Sequence, residues 1–244
     1  HLKLYKQHSR DRKVLELALE KWKKAQPDRI VFTGDLVHSK NQMTPELIDL
    51  MSWWMTETAK ICKCVYIIGN HNLDRMDAIS PVIQSLNNPN ITYYKDRGCY
   101  EDENILWCVY SLTSHNTSPN IPEVTDQYKI GLFHGPIEGA SNDFGFVFTD
   151  GYSIDRFDGC DVVFAGDIHK RQTFKIPRNK KAYMIGSTII QNFGESVKNH
   201  GYGTYIVSKE KYRFTELENN QPYLNFRIRD IEDIEKEKEI LTNG

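Results

Sequence analysis

The chain has 244 residues, 39% of them hydrophobic and 26% charged, with a net charge of −2. That balance predicts a real core in one large domain or one domain plus a fragment, and it gives no global electrostatic footprint for nucleic acid. No apolar run of roughly 18 or more residues and no cleavable leader argue for a membrane span or secretion, so no membrane partner and a cytoplasmic location are expected.

The five cysteines are odd in number, lie mostly in or beside apolar strand-like runs and lack CxxC pairing, so they read as reduced core thiols. The chain opens on His1, and a segment preceding it is expected. Residues 11–25, DRKVLELALEKWKKA, set Val14, Leu15, Ala18, Leu19 and Trp22 on one helical face. RIVFTGD reads as a strand. Thr44 then supplies an N-cap and Pro45 a first helical position for PELIDLMSWWMTETAKI. CVYIIGN is the next strand and DAISPVIQSL a shorter helix. ITYYK, ILWCVYSL, YKIGLFHG, CDVVFAGD, AYMIGS, TYIVS and YRFTEL follow, mostly as strands, with a polar loop over 113–128. Helices alternate with strands early and strands dominate late, the order of a layered α/β domain with a large mixed sheet. From Glu218 the tail turns charged and helix-like, as the start of a second module.

Chemistry-bearing residues recur where these strands end. RIVFTGD delivers Asp35, CVYIIGN delivers Asn70 followed by His71, YKIGLFHG delivers His134, and CDVVFAGD delivers Asp167 and His169. Residues two apart in an extended chain project to the same side, so Asp167 and His169 can address one object. In open α/β sheets, ligands gather outside the carboxyl ends of the strands. Carboxylate, amide oxygen and imidazole without thiolate suit a borderline divalent ion such as manganese, iron or zinc. There are too many donors for one tetrahedral ion. Two ions roughly 3.5–4 Å apart, bridged by one carboxylate, would use them all and clamp an in-line phosphoryl displacement.

GDLVHS, GNHN, FHG and GDIH resemble, in order and approximate spacing, the motif series of calcineurin-like metallophosphoesterases. The nearer resemblance is to the SbcD-type nuclease subunit of SbcCD complexes, phage relatives included. HLKLYKQH resembles the tail of that family's first motif, with His1 as its histidine. DRMDAISP and GSTIIQNFGES also look like family segments. The resemblance implies an α/β fold of the calcineurin-like four-layer sandwich type, two mixed β-sheets flanked by helices. It implies a metallophosphoesterase domain over 1–215 that lacks its first strand, with 216–244 beginning a capping or partner-binding module. By position, Asp35 would bridge both metals, His1 and His169 would complete one site, and Asn70, His134 and Asp167 the other. His71 would act as the acid or transition-state stabiliser.

The implied activity is two-metal DNA nuclease chemistry, exonuclease or endonuclease, in DNA repair or recombination. An SbcC-like ATPase would be the partner and a homodimer the assembly, in the host cytoplasm if phage-encoded. Many members carry histidine where Asp167 stands, and a hard anion there moves the preference toward manganese or magnesium, so two Mn2+ ions are the expected cofactors. The aspartate expected two residues before His1 is absent from this chain, and GNHN replaces the usual GNHD. Lys170 and Arg171, in the basic run 170–181, are expected to contact substrate together with His38, while a second basic cluster at 3–13 would flank the DNA path. Two other readings stay open: a small-substrate metallophosphoesterase, and a non-catalytic DNA-binding scaffold whose site has decayed.

Overall fold

A computed structural model describes residues 8–37, 43–70, 79–111 and 118–219. The predicted helix at 11–25 is α1 (His8–Ala25), and its expected apolar face is the buried one. It leads into β1 (Arg29–Phe32). Thr44 caps α2 (Pro45–Ala59) as its sequence promises: the hydroxyl oxygen accepts from the Leu47 amide at 3.2 Å. Then come β2 (Lys63–Ile67), α3 (Ile79–Leu86) and β3 (Ile91–Tyr94). The later half runs β4 (Gly98–Asp102), β5 (Ile105–Tyr110), β6 (Tyr128–His134), β7 (Val162–Gly166), β8 (Gln172–Ile176) and β9 (Lys180–Met184). A hairpin of β10 (Gly201–Ile206) and β11 (Lys211–Glu216) closes the described chain. The expected helical tail lies outside the described residues, apart from its first two positions.

Three sheets form. β1, β2 and β3 are parallel in that order. The mixed six-stranded sheet runs β4-β5-β6-β7-β9-β8, with antiparallel edges at β4 and β8 and a parallel centre. Among the described residues, β10 and β11 pair only with each other.

Alternation along the strands sorts side chains between layers. On β2, Cys64 and Tyr66 face α1 and α2, where Leu15, Leu47, Met51 and Trp54 are buried. Val65 and Ile67 face the other way, into a core shared with Trp107, Val109, Ile130 and Leu132 of the large sheet. The far face of that sheet, with Cys108, Phe133, Val163 and Ala165, is sealed by Ile137, Ala140 and the 3-10 turn Ile154–Phe157. The layered α/β architecture is therefore as expected. β4 and β8 are additions: both are edge strands, GCYED and QTFKI, with no strong apolar alternation. β8 and β9 also place the basic run 170–181 on a hairpin where Arg178 pairs with Asp158 and Lys180 with Glu210. The free cysteines are as expected, with Cys64, Cys108 and Cys160 buried.

Candidate metal centre

β6 ends on His134, and β7 ends on Gly166, with which His134 is in register. Asp167 follows directly, and Asp35 follows β1 in the turn Thr33-Gly34-Asp35. The carboxyl ends of strands from two sheets therefore meet. Asp35, His134 and Asp167 each offer a ligand atom within 4.8 Å of the others. His134 Nε2 stands 3.3 Å from Asp35 Oδ2 and 3.7 Å from Asp167 Oδ1. Asp35 is 4% and His134 1% exposed.

The glycine preceding each of Asp35, Asn70 and Asp167 makes room for a neighbouring group. A Cβ at Gly34 would overlap the His134 ring, one at Gly69 the Asp35 carboxylate, and one at Gly166 the Thr33 carbonyl oxygen. Both carboxylates sit at positive φ, Asp35 at 50° and Asp167 at 91°. Such backbone costs on the order of 1–3 kcal/mol and persists where the surroundings over-determine it, as functional sites do.

Hydrogen bonding aims the donors. The Thr33 carbonyl oxygen lies 2.6 Å from His134 Nδ1. A carbonyl only accepts, so Nδ1 carries the proton and Nε2 of the neutral ring offers its lone pair. That buried Nε2 has no hydrogen-bond partner. Asn70 donates from Nδ2 to Asp167 Oδ1 at 2.6 Å, while its buried Oδ1 is also without a partner. Buried polar atoms are normally satisfied. Two orphaned acceptors beside two carboxylates suit a divalent cation, and a donor set of carboxylate, imidazole and amide oxygen suits a hard or borderline one.

The electrostatics agree. Burial pulls the His134 imidazole down, yet the Asp35 carboxylate that faces it, then Asp167 and the Thr33 carbonyl, outweigh that and raise the pKa above the ordinary value. Asp167 is raised too, first by burial and further by Asp35, against the opposing pull of His134 and Asn70. Without a metal, the site holds protons more tightly than exposed groups would.

His169 lies outside the group of three but lines the same cleft, about 1020 Å³ in volume, as Asp35, His134 and Asp167. Its Nδ1 is 2.7 Å from Glu195 Oε1. Glu195 also accepts from the Gln191 amide at 2.8 Å and from Asn192 Nδ2 at 2.7 Å. Burial acts to raise this carboxyl, but His169 and the Gln191 amide prevail and hold it below the ordinary range. Lys170 Nζ donates to Ser141 Oγ at 3.1 Å. Arg171 donates to Asn199 Oδ1 at 3.2 Å and lies over the Phe214 ring at 4.5 Å. His1, His38 and His71 lie outside the described residues. Glu195 is the residue that sequence reading passes over: GSTIIQNFGES stands out as a segment, but no spacing rule links Glu195 to a histidine 26 positions earlier.

The family model described as calcineurin-like phosphoesterase matches residues 5–171. The chain belongs to this family. Its members use divalent metals, so the cluster of Asp35, His134 and Asp167 is a candidate metal site. The chain is also similar to an uncharacterized protein of Acanthamoeba polyphaga mimivirus, 32% identical over 222 residues. That alignment covers 84% of this calcineurin-like chain and 16% of the viral protein's length. No helix among the described residues is long and apolar enough to cross a membrane.

Proposed function

We propose that this chain is a two-metal phosphodiesterase that cleaves DNA, as the nuclease subunit of an SbcCD-type complex. The observation that carries the reading is the convergence of Asp35, His134 and Asp167 within 4.8 Å, beside the orphaned Asn70 Oδ1 and His134 Nε2. The motif order that resembles SbcD-type subunits supports the finer assignment. An SbcC-like ATPase as partner, a homodimer as assembly and manganese as the preferred ion belong to the same proposal.

Asp35 would be shared between two ions. His134 Nε2, Asn70 Oδ1 and Asp167 would hold one, and His169 with His1 the other. A bound divalent pair supplies Lewis-acid polarisation of a phosphoryl oxygen and lowers the pKa of a water. The protein's own part is to fix the donors before substrate arrives. Thr33 holds the tautomer of His134, Glu195 does the same for His169, and Asn70 pins Asp167. Histidine has an unperturbed pKa of roughly 6.5, which suits His71 to proton donation at the leaving oxygen. Lys170 and Arg171 stand next in the chain to His169, where a phosphate backbone would pass.

The deciding experiment compares manganese-dependent hydrolysis of bis-p-nitrophenyl phosphate with that of p-nitrophenyl phosphate. The diester should be the better substrate, and single-stranded or duplex DNA should be cut under the same conditions. Asp35→Asn and His134→Gln should each remove the activity. A monoester preference would transfer the site to small-substrate phosphoesterase chemistry. DNA binding without any metal-stimulated cleavage would leave the scaffold reading.

A further inference from the structure

Three of the phenylalanines stay largely in water: Phe144 is 75%, Phe146 59% and Phe193 57% exposed. Among the described residues these are the exposed phenylalanines, and all belong to two loops that adjoin the candidate metal centre. The Phe144 ring rests where a Cβ of Gly194 would stand, next to Phe193. Gly194 precedes Glu195, which holds His169. From the other side, Lys170 bonds Ser141, three residues before Phe144. Both loops are thus tied to consecutive residues of the site.

The tip that carries Phe144 is built, not loose. Asn142 Oδ1 accepts from the amides of Phe144 at 3.1 Å and Phe146 at 3.0 Å. The Asn142 amide donates to the Phe146 carbonyl at 3.0 Å, and Gly145 takes a φ of 83° to close the turn. Phe146 meets Phe148 edge-on with ring centroids 5.0 Å apart. A hydrogen-bonded tip that sets the end of a ring against a glycine and leaves the ring three-quarters exposed presents an aromatic surface at low ordering cost.

We propose that Phe144 and Phe193 form a stacking subsite for unpaired nucleobases of a strand whose phosphate lies at the candidate metal centre, with Lys170 and Arg171 beside that phosphate. The inference rests on the nuclease reading and deepens it by naming the substrate as a single strand or a frayed end. Aromatic rings accept the face of any base, whereas paired bases are hidden within a duplex. Lys170 and Arg171, next along the chain to His169, favour a polyanion over an apolar protein segment, and Asp143 and Glu195 on the same two loops are the acidic groups such a strand has to pass.

The test uses the full-length protein and a short fluorescein-labelled oligothymidylate, with binding read by anisotropy in EDTA. Phe144→Ala and Phe193→Ala should each weaken binding about 5- to 100-fold, while Phe144→Trp should bind at least as tightly as wild type. A strand of abasic residues should bind wild type weakly and respond to none of these changes. Equal affinity of the alanine variants and wild type, equal affinity for abasic and normal strands, or no strand binding at all would overturn the subsite. So would normal strand binding by variants that lose a co-purifying protein, since the patch would then be a protein interface. Hydrolysis of methyl p-nitrophenyl phosphate, a diester without a nucleobase, separates the two claims. If it proceeds with manganese and the phenylalanines do not matter, the subsite alone falls. If it fails while strand binding still depends on Phe144, the nuclease reading falls and the subsite stands as a strand-binding site.

Discussion

A single methyl group at Gly69 would land on the Asp35 carboxylate and on its backbone amide. Gly69→Ala is therefore expected to move the one carboxylate proposed to be shared by two ions. Residues that support metal ligands are typically worth about 10- to 100-fold in metal affinity. Titration calorimetry with Mn2+ should show a loss of that order, with far-ultraviolet circular dichroism nearly unchanged; an unaltered affinity would mean that Asp35 is not a ligand. The pH dependence follows from His134, whose raised pKa lets a proton compete with the metal for Nε2. Affinity should fall as pH drops below the imidazole value, by up to about tenfold per unit for each proton displaced, and level off above it. A flat profile from pH 8 to 6 would rule out that competition. At this scale the sequence shows the candidate ligands and the glycines before them, GD, GN and GD. It does not show that Gly34 gives way to His134 or that Glu195 reaches His169, because those contacts join segments distant in the chain.

Between elements, the pair Arg29 and Asp102 fastens β1 of the small sheet to β4 of the large one. Arg29 Nε donates to Asp102 Oδ2 at 2.7 Å and Nη2 to Oδ1 at 2.8 Å, while Trp107 Nε1 adds a bond at 3.2 Å. The Arg29 hydrogen bond, against some desolvation and with help from Trp107 and Lys63, lowers the Asp102 pKa to about 2. A carboxyl depressed in the folded state contributes stability above its ordinary pKa of 3.8 and loses it as pH falls toward about 2. Discounted for nearby water, that is about 1–2 kcal/mol at neutral pH. Asp102→Asn should lower Tm by about 2–8 °C at pH 7, and the gap should narrow as pH approaches 2; a gap that is constant with pH would assign the loss to packing. The β4 strand that carries Asp102 is hard to see in the sequence, because an edge strand exposed along one side needs no apolar alternation. β8 is hidden for the same reason within a basic run. The central strands are legible because both of their faces are buried and their residues are almost wholly apolar.

For the molecule as a whole, the candidate ligands sit where its two main sheets meet. Asp35 hangs from the end of β1, while His134 and Asp167 hang from β6 and β7. The two sheets share an apolar core and the Arg29–Asp102 clamp on their far edge, yet at this end they meet through groups that repel without a cation. Asp35 and Asp167 are both acidic, and protonated His134 is the positive charge between them. The metal-free protein should therefore lose stability as pH rises through the raised imidazole value, because a group with a raised folded pKa stabilises below that value and ceases to above it. A divalent ion supplies the missing charge, so its effect on stability should be largest at alkaline pH. At an ion concentration roughly a hundredfold above Kd, binding to the folded state alone adds about 2.7 kcal/mol, or about 5–11 °C in Tm for a chain of this size. Thermal melts in Mn2+ against EDTA at pH 8 should show that rise, a smaller one at pH 6, and none for Asp35→Asn. An equal rise in the Asp35→Asn protein would place the stabilising ion elsewhere on the surface and detach the acidic cluster from metal binding.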